Sequence, residues 1–182
     1  MYKNDTKIIL RESMRGLLSK RSLDKISVGD IVKDCKISRA TFYRNFKDKY
    51  DLMNFCFKGM VDELEKNMTL ETWTKFLASI FRFVKTDQKF YVNAFKSEGD
   101  NSFLAYLYKV NIEFYERQLL GCTKATSLQE VDKACVAFFC AGEIQIFKDW
   151  LLRGAKESPE ELTQWCYDFM PKRFQEIFKQ KE

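Results

Sequence analysis

The chain predicts an all-α protein: an N-terminal three-helix helix-turn-helix domain, then a C-terminal helical bundle with a dimerising helix pair. Only two prolines, Pro159 and Pro171, interrupt its 182 residues. No stretch alternates with the period of two that a half-buried strand needs. Apolar residues recur instead at three and four, and helix-capping residues punctuate them.

The elements follow in order. Asn4 or Asp5 opens a first helix carrying Ile9, Leu10, Met14, Leu17 and Leu18, with Lys7, Arg11, Glu12 and Arg15 interleaved. Ser27, with Asp30 three residues on, makes a capping box for a short helix over 28–34, and Ser38 starts another over 39–45. Asp48 caps a longer helix through Leu52, Phe55, Cys56 and Val61 to Lys66. Thr69 opens a helix to about Lys85, Asp87 one that ends near Gly99, and Asp100 one through Phe103, Leu107, Val110 and Phe114 to Gly121. Ser127 with Glu130 opens the next, to about Gly154. Ser158-Pro159-Glu160-Glu161 is a capping box with proline at the first helical position, and Pro171 interrupts the helix it starts. About nine helices result. They fall into a DNA-binding domain over 1–50, with a connecting helix 48–66, and a regulatory and dimerisation domain over 67–182.

Composition closes off other classes of function. There is no histidine, which removes Ser-His and Cys-His catalysis and the usual general base near neutrality. The seven glycines are scattered and form no phosphate-cradling loop. Six cysteines (Cys35, Cys56, Cys122, Cys135, Cys140 and Cys166) make no CxxC pair and read as reduced core thiols. No catalytic set, metal site or cofactor is expected, and the chain is not expected to be an enzyme. No apolar run reaches the length of a bilayer span, and Met1 to Leu10 lacks the layout of a signal peptide. A cytoplasmic protein without a membrane partner is expected.

Charge is concentrated at one end. Residues 1–50 hold 13 Lys/Arg against 6 Asp/Glu, whereas residues 51–182 hold 18 against 20. A basic first quarter on a nearly neutral body suits a polyanion contact confined to that end. Double-stranded DNA is one such partner. An acidic protein, which would make the chain an adaptor, is the other.

The stretch from Ile26 to Met53 decides between them. Its two short helices are separated by a turn of about four residues, and Ile31, Val32, Ile37, Phe42 and Phe46 form a small shared core. That spacing makes the helices cross steeply, as in a DNA-reading helix-turn-helix. At 100° per residue Phe42 and Phe46 point inward, while Ala40, Thr41 and Arg44 point away and Arg39 and Tyr43 flank the seam. A face with two arginines, a small residue and a hydroxyl suits base edges and phosphates.

Ser27-Val28, Ile31-Val32, Ile37-Ser38, Thr41-Phe42-Tyr43, Phe46 and Lys49 with Leu52 together resemble the DNA-binding domain of the TetR family of bacterial regulators, over residues 5–60. The resemblance implies a DNA-contacting set of Ser27, Ser38, Arg39, Ala40, Thr41, Tyr43, Arg44 and Lys49. Within it Ser27, Thr41, Tyr43 and Lys49 hold phosphates, and Arg39, Ala40 and Arg44 approach bases. Two positions depart from the family pattern: Lys36 replaces the turn glycine, and Asn45 the usual histidine. Either Lys36 accepts a positive φ there, or the turn differs slightly from the family's.

The C-terminal two-thirds carries two further signals. Ala134 to Gly142, ACVAFFCAG, is nine residues without charge or side-chain amide. A helix apolar all round must be covered on more than one side. A homodimer interface at Ala137, Phe138, Ala141 and Gly142, with the final helix beside it, is expected. Residues 73–115 also hold 12 aromatic residues in 43. Phe81, Phe90, Tyr91, Phe95, Phe103, Tyr106 and Phe114 either line a cavity for a small-molecule effector or form a packed core. The region is similar to the TetR branch that activates dihydroxyacetone kinase operons. That resemblance implies input from a co-regulator protein related to the kinase's substrate-binding subunit.

Overall fold

The computed structural model describes residues 3–66, 73–99, 101–123 and 126–179, with side chains described over 5–62, 73–99, 101–121 and 126–175. Thr69, Asp100 and the side chain of Cys122 lie outside these. The described residues form ten α-helices and no strand: α1 (Lys3–Leu18), α2 (Val28–Asp34), α3 (Arg39–Tyr43), α4 (Lys49–Lys66), α5 (Trp73–Thr86), α6 (Gln88–Phe95), α7 (Phe103–Thr123), α8 (Glu130–Leu152), α9 (Pro159–Asp168) and α10 (Lys172–Lys179). Two compact units divide the chain. One comprises residues 1–63 with 87–105, the other 64–86 with 106–182.

In the first unit α1 packs on α2 and α6, and α2 on α3. Leu10, Met14 and Leu18 of α1 are fully buried, at the spacing of one helical face. Leu52, Met53, Cys56, Phe57 and Met60 make the matching stripe on α4. The Asp48 carboxylate accepts from the Asp51 N–H at 2.8 Å and starts α4 as expected. Asp87 serves differently. Its carboxylate makes no capping bond to α6 but an ion pair with Arg15 at 2.8 Å. Asn93 Nδ2 donates to the Leu18 carbonyl at 2.7 Å, satisfying an end of α1 that has no intrahelical partner.

The second unit packs α5 on α9. Arg82 pairs with Glu160 at 2.5 Å across these helices. Ser158 and Glu161 form the expected capping box, Pro159 takes the first helical position, and Pro171 separates α9 from α10. The start of α8 differs from expectation: its N-cap is Gln129 rather than Ser127.

The seven aromatic residues are parted between the units. Phe90, Tyr91, Phe95 and Phe103 pack with Phe57 in the first, with ring centroids 4.8–6.3 Å apart. Phe81 stacks against Phe147 and Trp150 in the second, where Phe114 meets Phe76 and Tyr115. Tyr106, also in the second, is half-buried. Within each unit these rings form packed clusters. Their density in sequence reflects two cores sharing one stretch of chain.

Of the five cysteines with described side chains none is in a disulfide; Cys56, Cys140 and Cys166 are buried, Cys35 and Cys135 half-buried. Burial pushes the Cys56 thiol up to about 12, and raises Cys140 and Cys166 as well. These thiols stay protonated and pack as small apolar groups.

A buried acid lies among them. Glu143, on α8, is 5% exposed and accepts from the Tyr115 hydroxyl at 2.9 Å and from Asn111 Nδ2 at 3.1 Å, both on α7. Trp73 Nε1 of α5 donates in turn to the Tyr115 oxygen at 3.0 Å. Burial raises the Glu143 carboxyl from 4.5 to about 7, against the lowering effect of these two donors. Between pH 4.5 and 7 the folded chain keeps this proton while the unfolded chain loses it. Stability contributed by the neutral acid is thus full below 4.5 and falls as pH rises to about 7, by on the order of 3 kcal/mol. Denaturation midpoints of the wild type should fall across this window relative to Glu143→Gln; parallel pH profiles would refute the assignment.

The turn between α2 and α3 supplies a second expectation. Lys36 has φ +54°, with Ile37 N–H donating to Val32 O at 3.0 Å and Lys36 N–H to Lys33 O at 3.3 Å. These are the two bonds of a Schellman motif, whose left-handed residue is usually glycine. Lys36→Gly should stabilise the chain by about 0.5–1 kcal/mol, the relieved strain exceeding the added unfolded-state entropy. A lower urea midpoint for this variant would contradict it.

Candidate nucleic-acid interface

The site is built from the inner side of α3 outward. Phe42 is fully buried and Phe46 nearly so, with centroids 6.2 Å apart, and Phe42 meets the Tyr43 ring edge-on at 5.4 Å. Lys7 of α1 lies 5.6 Å from the Phe46 centroid and 5.4 Å from that of Phe55, a cation held over two aromatic faces. Ile31 and Val32 are buried beneath α2, whereas Ile37 is half-buried. The expected shared core is present.

Both short helices are capped by serines. Ser27 Oγ accepts from the Asp30 N–H, while the Asp30 carboxylate accepts from the Ser27 N–H and hydroxyl. These bonds, with help from Arg21 at 3.3 Å, hold the Asp30 carboxyl down to about 2. Ser38 Oγ accepts from the Thr41 N–H at 3.1 Å and lies 2.9 Å from the Thr41 hydroxyl oxygen. Arg44 then donates to Thr41 Oγ1 at 3.0 Å. Ser38, Thr41 and Arg44 are three apart, so a hydrogen-bonded line runs along one side of α3. Asn45 turns its amide back to the Thr41 carbonyl at 2.8 Å.

Arg39, Ala40, Tyr43 and Arg44 are exposed, Tyr43 at 56%. Ala40 and Arg44 point away from Phe42, and Arg39 and Tyr43 flank that face. A side-chain carbon added at Gly29 would come within 3.2 Å of the Arg39 guanidinium, so Arg39 lies along α2 where glycine leaves room. Ser27 and Ser38 are exposed and Thr41 is half-buried. Exposed Lys25, Lys36 and Lys47 flank the two helices in the loops. For Lys25 and Lys47 the regional excess of positive charge is the only signal in the sequence, and Lys36 stands out there only as the turn residue.

Lys49 requires a correction. Expected to hold a phosphate, its Nζ donates to three carbonyls: Leu23 at 2.8 Å, Ile26 at 2.9 Å and Asp24 at 3.2 Å. An ammonium has three protons, and all three are committed. The carbonyls belong to a short 3-10 turn, Leu23–Lys25, and its C-cap, Ile26, and the Leu23 carbonyl also accepts from the Ile26 N–H at 3.1 Å. Burial lowers the Lys49 pKa. Its work is to tie the entry of α2 to the start of α4.

With this geometry in place, comparison with known proteins is informative. The family description "transcriptional regulator C-terminal region" matches residues 71–172, and that of the bacterial regulatory proteins of the tetR family matches residues 10–55. The chain belongs to the TetR family: it is a DNA-binding transcriptional regulator, not an enzyme. The HTH-type dhaKLM operon transcriptional activator DhaS of Lactococcus lactis (strain IL1403) is 30% identical over 91 residues, 50% of this chain and 49% of that protein. The matched region thus spans about half the length of this curated relative. A solved structure of the dihydroxyacetone kinase operon activator DhaS aligns with TM-score 0.64 at 22% identity, over 95% of this chain and 97% of that one. A TetR regulator from Streptococcus agalactiae 2603V aligns with TM-score 0.65 at 19% identity, over 90% and 92%. At these identities the structures show a shared fold. Among the described residues no helix is long and apolar enough to cross a membrane.

Lys49→Met, which keeps the stem and removes the donors, should cost about 1–3 kcal/mol, since half-buried carbonyls lose their partners. The salt dependence of DNA binding should keep the wild-type slope. A slope reduced by about one, with stability unchanged, would return Lys49 to the phosphate contacts.

Proposed function

We propose that this regulator acts in the cytoplasm as a homodimer on a near-palindromic operator, with α3 of each copy in the major groove. One observation carries the proposal: α3 exposes Ala40 and Arg44 on the face away from the buried Phe42, with exposed Arg39 and Tyr43 flanking that face. Arg39 and Arg44 read bases, since guanidinium pairs bidentately with guanine. Ser27, Ser38, Thr41 and Tyr43 position the phosphates. A five-residue helix contacts too few base pairs for useful specificity, so two copies read half-sites a helical turn, or a multiple of it, apart.

The second copy docks on α8 and α9. Val131, Ala134, Phe138, Ala141, Gly142, Gln145 and Leu152 of α8 are exposed at spacings of three and four, on the side away from buried Val136, Phe139, Cys140 and Ile144. Ala137, expected on this interface, is half-buried at its edge. Residues 1–66 bind DNA and residues 67–182 dimerise and receive the signal. The similarity to DhaS supports an activator of a dihydroxyacetone kinase operon whose input is a co-regulator protein. The packed state of the aromatic clusters favours a protein over an enclosed metabolite.

Arg39→Ala and Arg44→Ala should each cost about 1–3 kcal/mol at the cognate operator and little on unrelated DNA. Mobility-shift titrations against the operator and a scrambled duplex measure this. Equal losses on both duplexes would make these arginines phosphate contacts, and no loss would remove α3 from the interface.

A further inference from the structure

The outward side of α8 carries both a projection and a recess. Phe138 is 85% exposed, and Gly142 follows one helical turn later. Around Gly142 the space is open: a carbon added there would meet nothing within 4 Å. Gly142 opens on a groove of about 330 Å³ that Phe138 itself walls on one side, with Phe139, Ile146, Cys166, Phe169, Pro171 and the buried Glu143 around the rest. A cavity of about 150 Å³ holds a benzene ring, so a phenyl group has ample room here.

We propose that this groove is the seat of Phe138 from a second copy of the chain, so that two such insertions lock the dimer. The inference rests on the assignment of α8 and α9 as the dimer face and names the contact that specifies it. A two-fold interface pairs residue i with j and j with i, so projection and recess must lie on the same surface. Here they lie one turn apart. The outward positions from Ala134 to Gln145 carry no charge, so a copy of the same surface meets no like-charge repulsion. Exposed area points the same way. At roughly 150–250 Å² per aromatic side chain, Phe138 and Phe169, 85% and 70% exposed, leave on the order of 300 Å² of apolar surface in water. Val131, Trp165 and Leu152, 61%, 38% and 47% exposed, add to it. The patch approaches the roughly 800 Å² that each partner contributes to a stable interface.

The test is sedimentation of the full chain as wild type, Phe138→Ala, Gly142→Leu and an equimolar mixture of the two variants. Leucine at 142 has room in the single chain and favours helix over glycine, so circular dichroism should be unchanged. The wild type should sediment as a dimer, and each variant should dissociate at concentrations 10-fold or more higher. The mixture discriminates further. In a mixed pair, Phe138 of the Gly142→Leu copy enters the open groove of the Phe138→Ala copy, and the blocked groove faces no ring. The mixture should therefore dimerise more tightly than Gly142→Leu alone. Wild-type affinity in both variants would overturn the insertion and leave the dimer itself standing. A wild type that is monomeric at micromolar concentration would overturn the dimer assignment as well.

Discussion

A helix of five residues has no stability of its own, and the surface proposed to read DNA lies on such a helix. Nucleating a helix fixes several dihedrals for one hydrogen bond, and α3 is too short to recover that cost by propagation. Its geometry is imposed from outside. Ser38 supplies an N-terminal acceptor, Phe42 is fully buried, and the left-handed Lys36 turn sets its departure from α2. Lys49 holds the segment before α2 by three carbonyls and so fixes the frame that α2 and α3 share. The outward residues inherit an orientation they do not create.

α8 faces the opposite problem, a long helix with too much apolar surface for one neighbour. Its inner side is covered within the second unit by α7, where Glu143 meets Asn111 and Tyr115. A buried carboxyl is costly unless its oxygens are bonded, and here both are. Partners this directional select one register of α7 against α8, which apolar packing alone selects only weakly. Its outer side leaves Val131, Phe138 and Leu152 exposed.

Much of this was legible in the sequence because capping chemistry is local. Ser27-Asp30, Asp48 and Ser158-Glu161 act within three residues of themselves, and each caps as the spacing implies. The positive φ at Lys36 was one of two readings that the resemblance left open, and the structure adopts it. Lys49 was not, because its partners lie 23 to 26 residues away and nothing local separates a lysine that ties backbone from one that holds phosphate. Nor was Glu143, since a lone carboxylate in a helix reads as solvent-facing until its neighbours are known. The aromatic stretch left cavity and core open in the sequence, because the chain passes from the second unit to the first and back within it, so neighbouring phenylalanines serve different cores.

That passage bears on how a signal could reach the DNA-binding residues. The chain changes unit after residues 63, 86 and 105, and α7 itself runs from one into the other. Covalent continuity through a helix transmits displacement better than a flexible linker, whose conformational freedom absorbs it. Asp87, the first residue after one crossing, is held by Arg15 of α1, and Asn93 shortly beyond it by the last carbonyl of α1. A partner bound to the second unit need not touch α3 to affect it. Its leverage is its difference in affinity between two arrangements of the unit it binds. The structure supplies the fixed points, Arg15–Asp87 and Asn93–Leu18, through which such a difference would act on α1 and the helices packed against it.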